Sequence, residues 1–236
     1  MASPATQRLG SAPAERNAVY AFEAPVRLWH WVNAGCIAVL AVTGYLIAHP
    51  LPTVMGEASH HFIMGRIRLI HFVAGYCLAI GFAGRIYWAL IGNSVSRQIF
   101  YLPVWRGQWW RDFFREIAFY LFMTKEGVEP PGHSPLAQTG MLLFVTLGNL
   151  FMICTGFAMY AEGLGRGSWA DRAFGWVVPL IGDSQRVRNL HNLGMWVIIS
   201  FVIIHIYLSV RADIVSHHSS TSAIIGGYRM RKGDGD

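Results

Sequence analysis

Two histidines fourteen positions apart, His191 and His205, lie in one uninterrupted apolar stretch. In an α-helix this spacing puts both side chains on nearly the same face, about 21 Å apart along the axis. Such a stretch is typical of a helix that crosses a bilayer, where an ionisable side chain is costly and indicates a functional role. The pattern therefore predicts two sites on one helix, one toward each membrane surface.

The composition favours a membrane protein over a soluble domain. Hydrophobic residues make up 53% of the 236 residues, and charged residues make up 14%. We predict an all-α membrane protein, a bundle of four transmembrane helices at 29–48, 69–91, 136–160 and 190–210, because only helices satisfy their own backbone groups in lipid. No positively charged segment leads into an apolar one near the N-terminus, so we expect the first helix to direct insertion.

The net charge of +6 is distributed as a topology signal rather than as a nucleic-acid footprint. If the N-terminus is placed inside, thirteen of the 19 Lys and Arg residues lie on the inner side. Because cytoplasmic segments carry an excess of basic residues, we predict that both termini are cytoplasmic. We expect these basic residues to contact the lipid bilayer and not nucleic acid.

The segments outside the four spans differ in character. We predict a flexible cytoplasmic tail at 1–19, the four-helix domain at 20–214 and a cytoplasmic C-terminal tail at 215–236. The long inner loop contains WRGQWWRDFFREIAFYLF at 105–122, in which an aromatic or apolar residue recurs every four positions among charged ones. This pattern predicts an amphipathic helix in the membrane interface rather than a fifth span.

Four membrane histidines match in depth as two pairs when the chain crosses four times. Neutral imidazole is a common axial ligand of haem iron, so the match predicts two bis-histidine haem b sites. The outer site contains His71 and His191. The inner site contains His30 and His205. The basic residues fix this topology without reference to histidine, so the match is an independent check.

Several other residues lie near these levels. Four arginines are placed where haem propionates need counter-charges, with interfacial anchoring as the alternative for each: Arg27, Arg68, Arg85 and Arg188. Glycines such as Gly44 and Gly156 allow either close approach of a macrocycle or ordinary helix packing. His133 precedes the third span on the inner side, where it either hydrogen-bonds at the helix entry or handles a proton beside a lipophilic substrate.

Four stretches carry a resemblance to a known family: RLWHWVNAGCIAVLAVTG at 27–44, RIRLIHF at 66–72, TGFAMY at 155–160 and RNLHNLGMWVIISFVIIH at 188–205. Through them the chain resembles the b-type cytochrome subunit of membrane-bound nickel-iron hydrogenases. The wider dihaem cytochrome superfamily, which includes formate dehydrogenase gamma subunits, shares the histidines but not the RLWHW context. The chain departs from the family at Asn192, where a second basic residue or His is frequent.

The resemblance implies four haem ligands, His30, His71, His191 and His205. It implies that the outer haem takes electrons from the iron-sulfur small subunit of a periplasm-facing hydrogenase, which also has a large subunit. The inner haem then passes electrons to membrane quinone. The chain is expected in the bacterial cytoplasmic (inner) membrane, as an electron-transfer subunit of a hydrogen:quinone oxidoreductase and not an enzyme by itself.

Two contact surfaces follow from this arrangement. We expect quinone on the inner side, within reach of His133. We expect the outer loops at 50–65 and 161–183 to contact the iron-sulfur subunit, through residue types that are enriched at interfaces, Trp169, Arg172 and Trp176. Anchoring in the membrane interface is an equal explanation for the tryptophans.

Two other functions stay open. One is a cytochrome b of another respiratory complex, such as formate dehydrogenase or a thiosulfate-type reductase. The other is a haem-free, proton-coupled membrane carrier that uses the histidines as proton relays. The sequence shows no inverted repeats or interrupted helices, which are the usual marks of such carriers.

Overall fold

Four long apolar helices form the body of the protein in a computed structural model, which describes residues 16–52, 55–57, 61–100, 102–124, 133–216 and 220–232. The first span is Ala24–Ala48 and the second is Ile63–Ile91. The third is Pro135–Leu164 and the fourth is Ser184–Ser216. All four are long and apolar enough to cross a bilayer, which confirms the predicted all-α bundle of four spans.

The spans pack side by side as a bundle. The first lies along the second, the third packs against the fourth, and contacts also join the first to the fourth and the second to the third. Large apolar side chains cover the outside of the bundle, including Val42, Ile80 and Ile203. This surface suits contact with lipid, in which apolar side chains need no burial.

Histidines occupy both ends of the bundle. We call the end with His71 and His191 the outer end, and the end with His30 and His205 the inner end, after the orientation that the charge distribution predicts.

At the start of the third span, the Ser134 hydroxyl accepts a hydrogen bond from the Ala137 backbone N–H at 3.2 Å, and Pro135 occupies the first helical position. Both features are typical helix starts.

The third span contains a π-helical segment, Met141–Gly148, between the α-helical segments Pro135–Gly140 and Asn149–Leu164. Within this wider segment the Phe144 ring stacks on Phe201 of the fourth span, with the ring centroids 4.5 Å apart. The sequence analysis did not predict this segment, because a uniformly apolar run gives no sign of a change in helical period.

Parts of the two predicted tails form regular structure. Residues Arg16–Tyr20, of which all but Tyr20 belong to the predicted flexible tail at 1–19, pair as an antiparallel strand with Tyr228–Lys232. The fourth span also extends beyond the predicted 190–210, and a short helix, Ser220–Gly226, follows it. The strand pair holds the two ends of the described chain together at the inner end. Residues 1–15, 217–219 and 233–236 of the predicted tails lie outside the described residues.

The inner connection between the second and third spans contains a 3-10 turn, Ser96–Phe100, and the helix Gly107–Tyr120, which we call the loop helix. The loop helix is the amphipathic helix that the sequence predicts. Its Trp109 Nε1 donates to Gln138 Oε1 at 3.0 Å, which joins it to the third span. Arg211 of the fourth span donates through Nη2 to the Phe119 carbonyl at 2.7 Å. The outer connection before the fourth span contains the short helices Trp169–Phe174 and Val177–Ile181.

Candidate functional site

The inner end brings two of the predicted ligands face to face. The ring centroids of His30 and His205 lie 6.3 Å apart, and the ring planes are inclined at 52°. Two imidazole nitrogens bound on opposite sides of one metal ion lie about 4 Å apart, and their ring centres lie farther apart than the nitrogens. The observed separation is of the size that this arrangement requires.

The donor set suits a metal that brings its other ligands with it. Among the described residues, no three His, Cys, Asp or Glu side chains come together in a way that could hold a metal ion. Two imidazoles without further protein donors match the axial positions of a haem iron, whose remaining ligands come from the macrocycle. Phe201 stacks beside His205, with the centroids 5.7 Å apart, and gives that ring a flat apolar neighbour.

At the outer end, a threonine of the first span orients His71. Thr43 Oγ1 lies 2.6 Å from the Val39 carbonyl of its own helix and 2.8 Å from His71 Nδ1. The hydroxyl has one proton, and a carbonyl can only accept, so the hydroxyl donates to Val39 and accepts from Nδ1–H. This assignment places the ring proton on Nδ1 and leaves the Nε2 lone pair for a metal.

The same arrangement recurs for His191, with a threonine of the third span. Thr155 Oγ1 lies 2.7 Å from the Phe151 carbonyl and 2.8 Å from His191 Nδ1. The hydroxyl is buried, because Thr155 is only 1% exposed. By the same reasoning, His191 has its proton on Nδ1 and its Nε2 lone pair available. Both outer histidines are therefore prepared to ligate through the same nitrogen.

A glycine follows each of these threonines and lets the histidine ring lie close to the neighbouring helix. A Cβ at Gly44 would lie 3.3 Å from His71 Cε1 and 3.4 Å from Sδ of Met195, one turn after His191. A Cβ at Gly156 would lie 3.2 Å from His191 Cε1. The sequence analysis selected both glycines but missed the threonines. The repeated Thr-Gly dipeptide was the available signal.

Unsatisfied polar nitrogens are found at the inner end of the bundle. Buried polar atoms normally have hydrogen-bond partners. Six buried nitrogens at this end have none within the part of the chain that the structure describes: Arg27 Nε, Trp29 Nε1, His30 Nδ1, Arg85 Nε, Arg85 Nη1 and Arg211 Nε. Arginine N–H groups suit a carboxylate. The surroundings of the inner pair therefore fit an acidic cofactor such as haem.

The four arginines that the sequence predicts as partners of haem propionates lie in two different environments. Arg27 donates through Nη1 to the Ile225 carbonyl at 2.6 Å. Arg85 is 4% exposed and donates through Nη2 to the Ser96 carbonyl at 3.0 Å. Arg68 and Arg188 are exposed, each three residues before an outer histidine. The structure thus brings Arg27 and Arg85 to the inner cluster and leaves the other two at the surface of the outer end.

His133 lies at the inner end beside the 3-10 turn. Its backbone N and its ring Nδ1 are both 2.9 Å from Gln98 Oε1. Because an amide oxygen only accepts, the ring proton is on Nδ1. The ring also packs against Phe22, with the centroids 5.8 Å apart. The Gln98 side chain therefore accepts from both the backbone N–H and the ring N–H of His133.

The carboxylates at the inner end are structural. Glu23 Oε2 accepts from Trp88 Nε1 at 2.9 Å and from the Asn93 backbone N–H at 3.0 Å, and the Asn93 bond is the main cause of the lowered pKa of Glu23. Burial raises the pKa of Glu116 on the loop helix. Burial, together with the nearby Glu116 charge, raises the pKa of Tyr120 to about 12.

The predicted docking residues lie at the surface of the outer end. Trp176 and Arg172 are exposed. Trp169 is half-exposed and packs one edge against Phe157, with the centroids 5.8 Å apart. In the other outer loop, residues 53–54 and 58–60 lie outside the described residues.

Comparisons with known proteins cover all four spans. The family described as prokaryotic cytochrome b561 matches residues 21–227. A protein of Azotobacter vinelandii named "probable Ni/Fe-hydrogenase B-type cytochrome subunit" is 55% identical over 220 residues, which are 93% of this chain and 92% of its own length. A protein of the same name from Rhizobium leguminosarum bv. viciae is 50% identical over 223 residues, 94% of this chain and 93% of its own. In Escherichia coli (strain K12), the "probable Ni/Fe-hydrogenase 1 B-type cytochrome subunit" is 46% identical over 217 residues, 90% of this chain and 91% of its own. Because the match includes the helices that carry all four histidines, the chain belongs to the prokaryotic cytochrome b561 family.

Proposed function

We propose that this protein is a membrane-anchoring dihaem cytochrome b that transfers electrons from the iron-sulfur small subunit of a nickel-iron hydrogenase to membrane quinone. The names of its relatives support the hydrogenase as the electron donor. The observation that carries the haem assignment is the facing pair of imidazole rings at the inner end, 6.3 Å apart. The outer histidines, with both Nε2 lone pairs available, support a second site of the same kind.

Each end of the bundle has its own set of residues for this task. Haem b, when bound, would supply a one-electron iron couple, and two histidine ligands on each iron would leave no open position for oxygen chemistry. His71 and His191 would hold the outer group through Nε2. His30 and His205 would hold the inner group, with unused N–H groups of Arg27 and Arg85 for its carboxylates. Arg68 and Arg188, which are exposed at the outer end, are the candidates to pair with the carboxylates of the outer group.

The orientation follows from the charge distribution. The sequence assigns thirteen of the 19 basic residues to the inner side, so we place the inner end in the cytoplasm and the outer end in the periplasm. The chain then lies in the bacterial inner membrane with both termini cytoplasmic. The strand pair of Arg16–Tyr20 with Tyr228–Lys232 supports placing the two termini on one side.

Quinone reduction belongs at the inner end. It takes two electrons and two protons, so the site needs a proton donor that reaches cytoplasmic water and an apolar path for the isoprenoid tail. His133 lies just before the third span at the inner end, and Gln98 fixes the position of its ring. An imidazole titrates near neutral pH, as a proton donor to quinone must. By itself the chain is not an enzyme. Within the complex it is the subunit at which quinone is reduced.

The haem content of the purified full-length chain tests this proposal. We expect a b-type band in the reduced-minus-oxidised absorption spectrum and two haems per chain by the pyridine haemochrome assay. Absence of the band would refute the haem assignment and leave the proton-coupled carrier.

Subunits that co-purify with the tagged chain from native membranes test the identity of the electron donor. Hydrogenase small and large subunits are expected, and formate dehydrogenase or thiosulfate-type reductase subunits in their place would refute the hydrogenase assignment.

A further inference from the structure

The outer and inner histidines differ in what their second ring nitrogen contacts. At the outer end, Nδ1 of both His71 and His191 donates to a buried threonine hydroxyl, at 2.8 Å in each case. At the inner end, Nδ1 of His30 is buried and has no hydrogen-bond partner among the described residues. The ring of His205 stacks on Phe201. The two ends therefore support their ligands by different means.

The threonine arrangement is specific in its geometry. Each hydroxyl uses its only proton on the carbonyl four residues earlier in its own helix, so it can only accept from the histidine. Each threonine is almost fully buried, with Thr43 7% exposed and Thr155 1% exposed, so water does not compete for the bond. The glycine that follows each threonine lets the ring approach. Two helices that are distant in sequence thus repeat the same device at one end of the bundle.

We propose, on the basis of the dihaem function above, that Thr43 and Thr155 are positioning residues that keep the reduction potential of the outer haem below that of the inner haem. A hydrogen bond donated by Nδ1–H raises the basicity of the other ring nitrogen. A more basic axial ligand stabilises ferric over ferrous iron and lowers the potential. Both outer ligands have this bond, and at least one inner ligand lacks it.

This difference favours the direction of electron flow that the function requires. One electron lost by ferrous iron at the outer end is gained by ferric iron at the inner end, and the threonines exchange no proton in the process. A lower potential at the outer end makes this transfer favourable. The threonine bonds also fix the angle between the two outer imidazole planes, because each ring is held against a different span.

Substitution of the hydroxyls in the full chain, in membranes that contain the complete complex, tests the proposal. Thr43→Val and Thr155→Val replace the hydroxyl with a methyl group of similar size. We expect each variant to shift the lower of the two haem potentials upward in a spectrophotometric redox titration, with the higher potential unchanged. Thr43→Ser and Thr155→Ser restore the hydroxyl and are expected to restore the wild-type potential.

Thr146→Val is the matched control. Thr146 is a buried threonine of the third span, and its hydroxyl has no hydrogen-bond partner among the described residues. The same chemical change there should leave both potentials unchanged. Two bound haems with unshifted potentials in Thr43→Val and Thr155→Val would overturn the proposal, as would an equal shift in Thr146→Val.

Electron paramagnetic resonance of the oxidised membranes gives a second measurement. Its signal would not change if the threonines had only a structural role. The largest g value of a low-spin ferric haem follows the angle between its two imidazole planes. We expect it to change for one haem in the valine variants and to return in the serine variants. A valine variant that loses one haem while its serine counterpart retains both also supports the positioning role. If the wild type itself bound fewer than two haems, the dihaem function would fail, whereas two haems with unmoved potentials and g values refute only this inference.

Discussion

In the proposed outer haem site, His71 and His191 each supply one ligand from a different helix, so at the scale of single residues they act as a pair. Replacing His191 with alanine leaves His71 as the only axial ligand, so we expect the outer haem to be lost and the haem content per chain to be halved. His71→Ala should give the same result. The pyridine haemochrome assay and the rate of hydrogen-dependent quinone reduction measure both effects.

A histidine outside the pairs provides the control for this prediction. His49 is exposed at the end of the first span, and its Nδ1 lies 3.2 Å from the Tyr45 carbonyl of its own helix. His49→Ala should keep the full haem content. If either outer variant retained two haems with unchanged bis-histidine spectra, the assigned pairing would be wrong.

His133 provides a second test at this scale, for proton delivery to quinone. We expect His133→Ala to lower quinone turnover in the intact complex with hydrogen as the donor, while both haems still reduce normally. Gln98→Leu is the companion variant, because it removes the acceptor that orients the ring but keeps the imidazole. It should lower turnover less than His133→Ala. Full quinone turnover in His133→Ala would move the site to other groups around the inner pair.

The loop helix shows, at the scale of an element, how polar contacts fix an amphipathic helix to the bundle. Glu116 is 6% exposed, and its Oε2 accepts from the Leu136 backbone N–H at 3.1 Å, in the first turn of the third span. That N–H has no partner inside its own helix. Glu116→Leu should therefore lower the free energy of unfolding by about 1–3 kcal/mol, whereas Glu116→Gln keeps an acceptor and should cost less. Thermal unfolding in detergent measures the difference.

The same residue predicts a pH dependence of stability. Burial is the main cause of the raised pKa of Glu116, and Asp112, one turn earlier, adds to it. Because the folded state disfavours the ionised carboxyl, its contribution is complete below the ordinary pKa of 4.5 and is lost as the pH rises through the higher folded value. We expect the stability of Glu116→Gln relative to the wild type to rise with pH across this window. A relative stability that stays constant with pH would contradict the assignment.

The elements that the sequence predicts best are those fixed by local composition. The four spans and the loop helix follow from apolar length and from the four-residue spacing of aromatic residues, which need no knowledge of neighbours. The π-helical segment Met141–Gly148 and the strand pair depend on tertiary contacts, such as the stack of Phe144 on Phe201. The hydroxyl contacts of Thr43 and Thr155 likewise join helices that are distant in sequence, so spacing along one helix does not reveal them.

At the scale of the whole molecule, the two ends of the bundle have different surfaces. The inner end combines the paired strands, the loop helix and two arginines, Arg27 and the buried Arg85. The outer end presents short helices with exposed aromatic and basic side chains above the outer histidines. An electron donor that binds at the outer end would lie nearest to His71 and His191, so the outer end is where we expect the iron-sulfur subunit to dock.

A photo-crosslinking amino acid in place of Trp176 tests this docking surface in the intact complex. Trp176 is 55% exposed, and its Nε1 donates to the Ala173 carbonyl of its own loop at 2.9 Å, so replacement should leave the bundle folded. We expect a covalent adduct with the hydrogenase small subunit, identified by mass spectrometry. The same probe in place of Trp105, an exposed tryptophan before the loop helix, should yield lipid adducts only. Lipid adducts alone from position 176 would show that this tryptophan anchors the chain in the membrane interface, whereas a small-subunit adduct from position 105 would reverse the assigned orientation of the bundle.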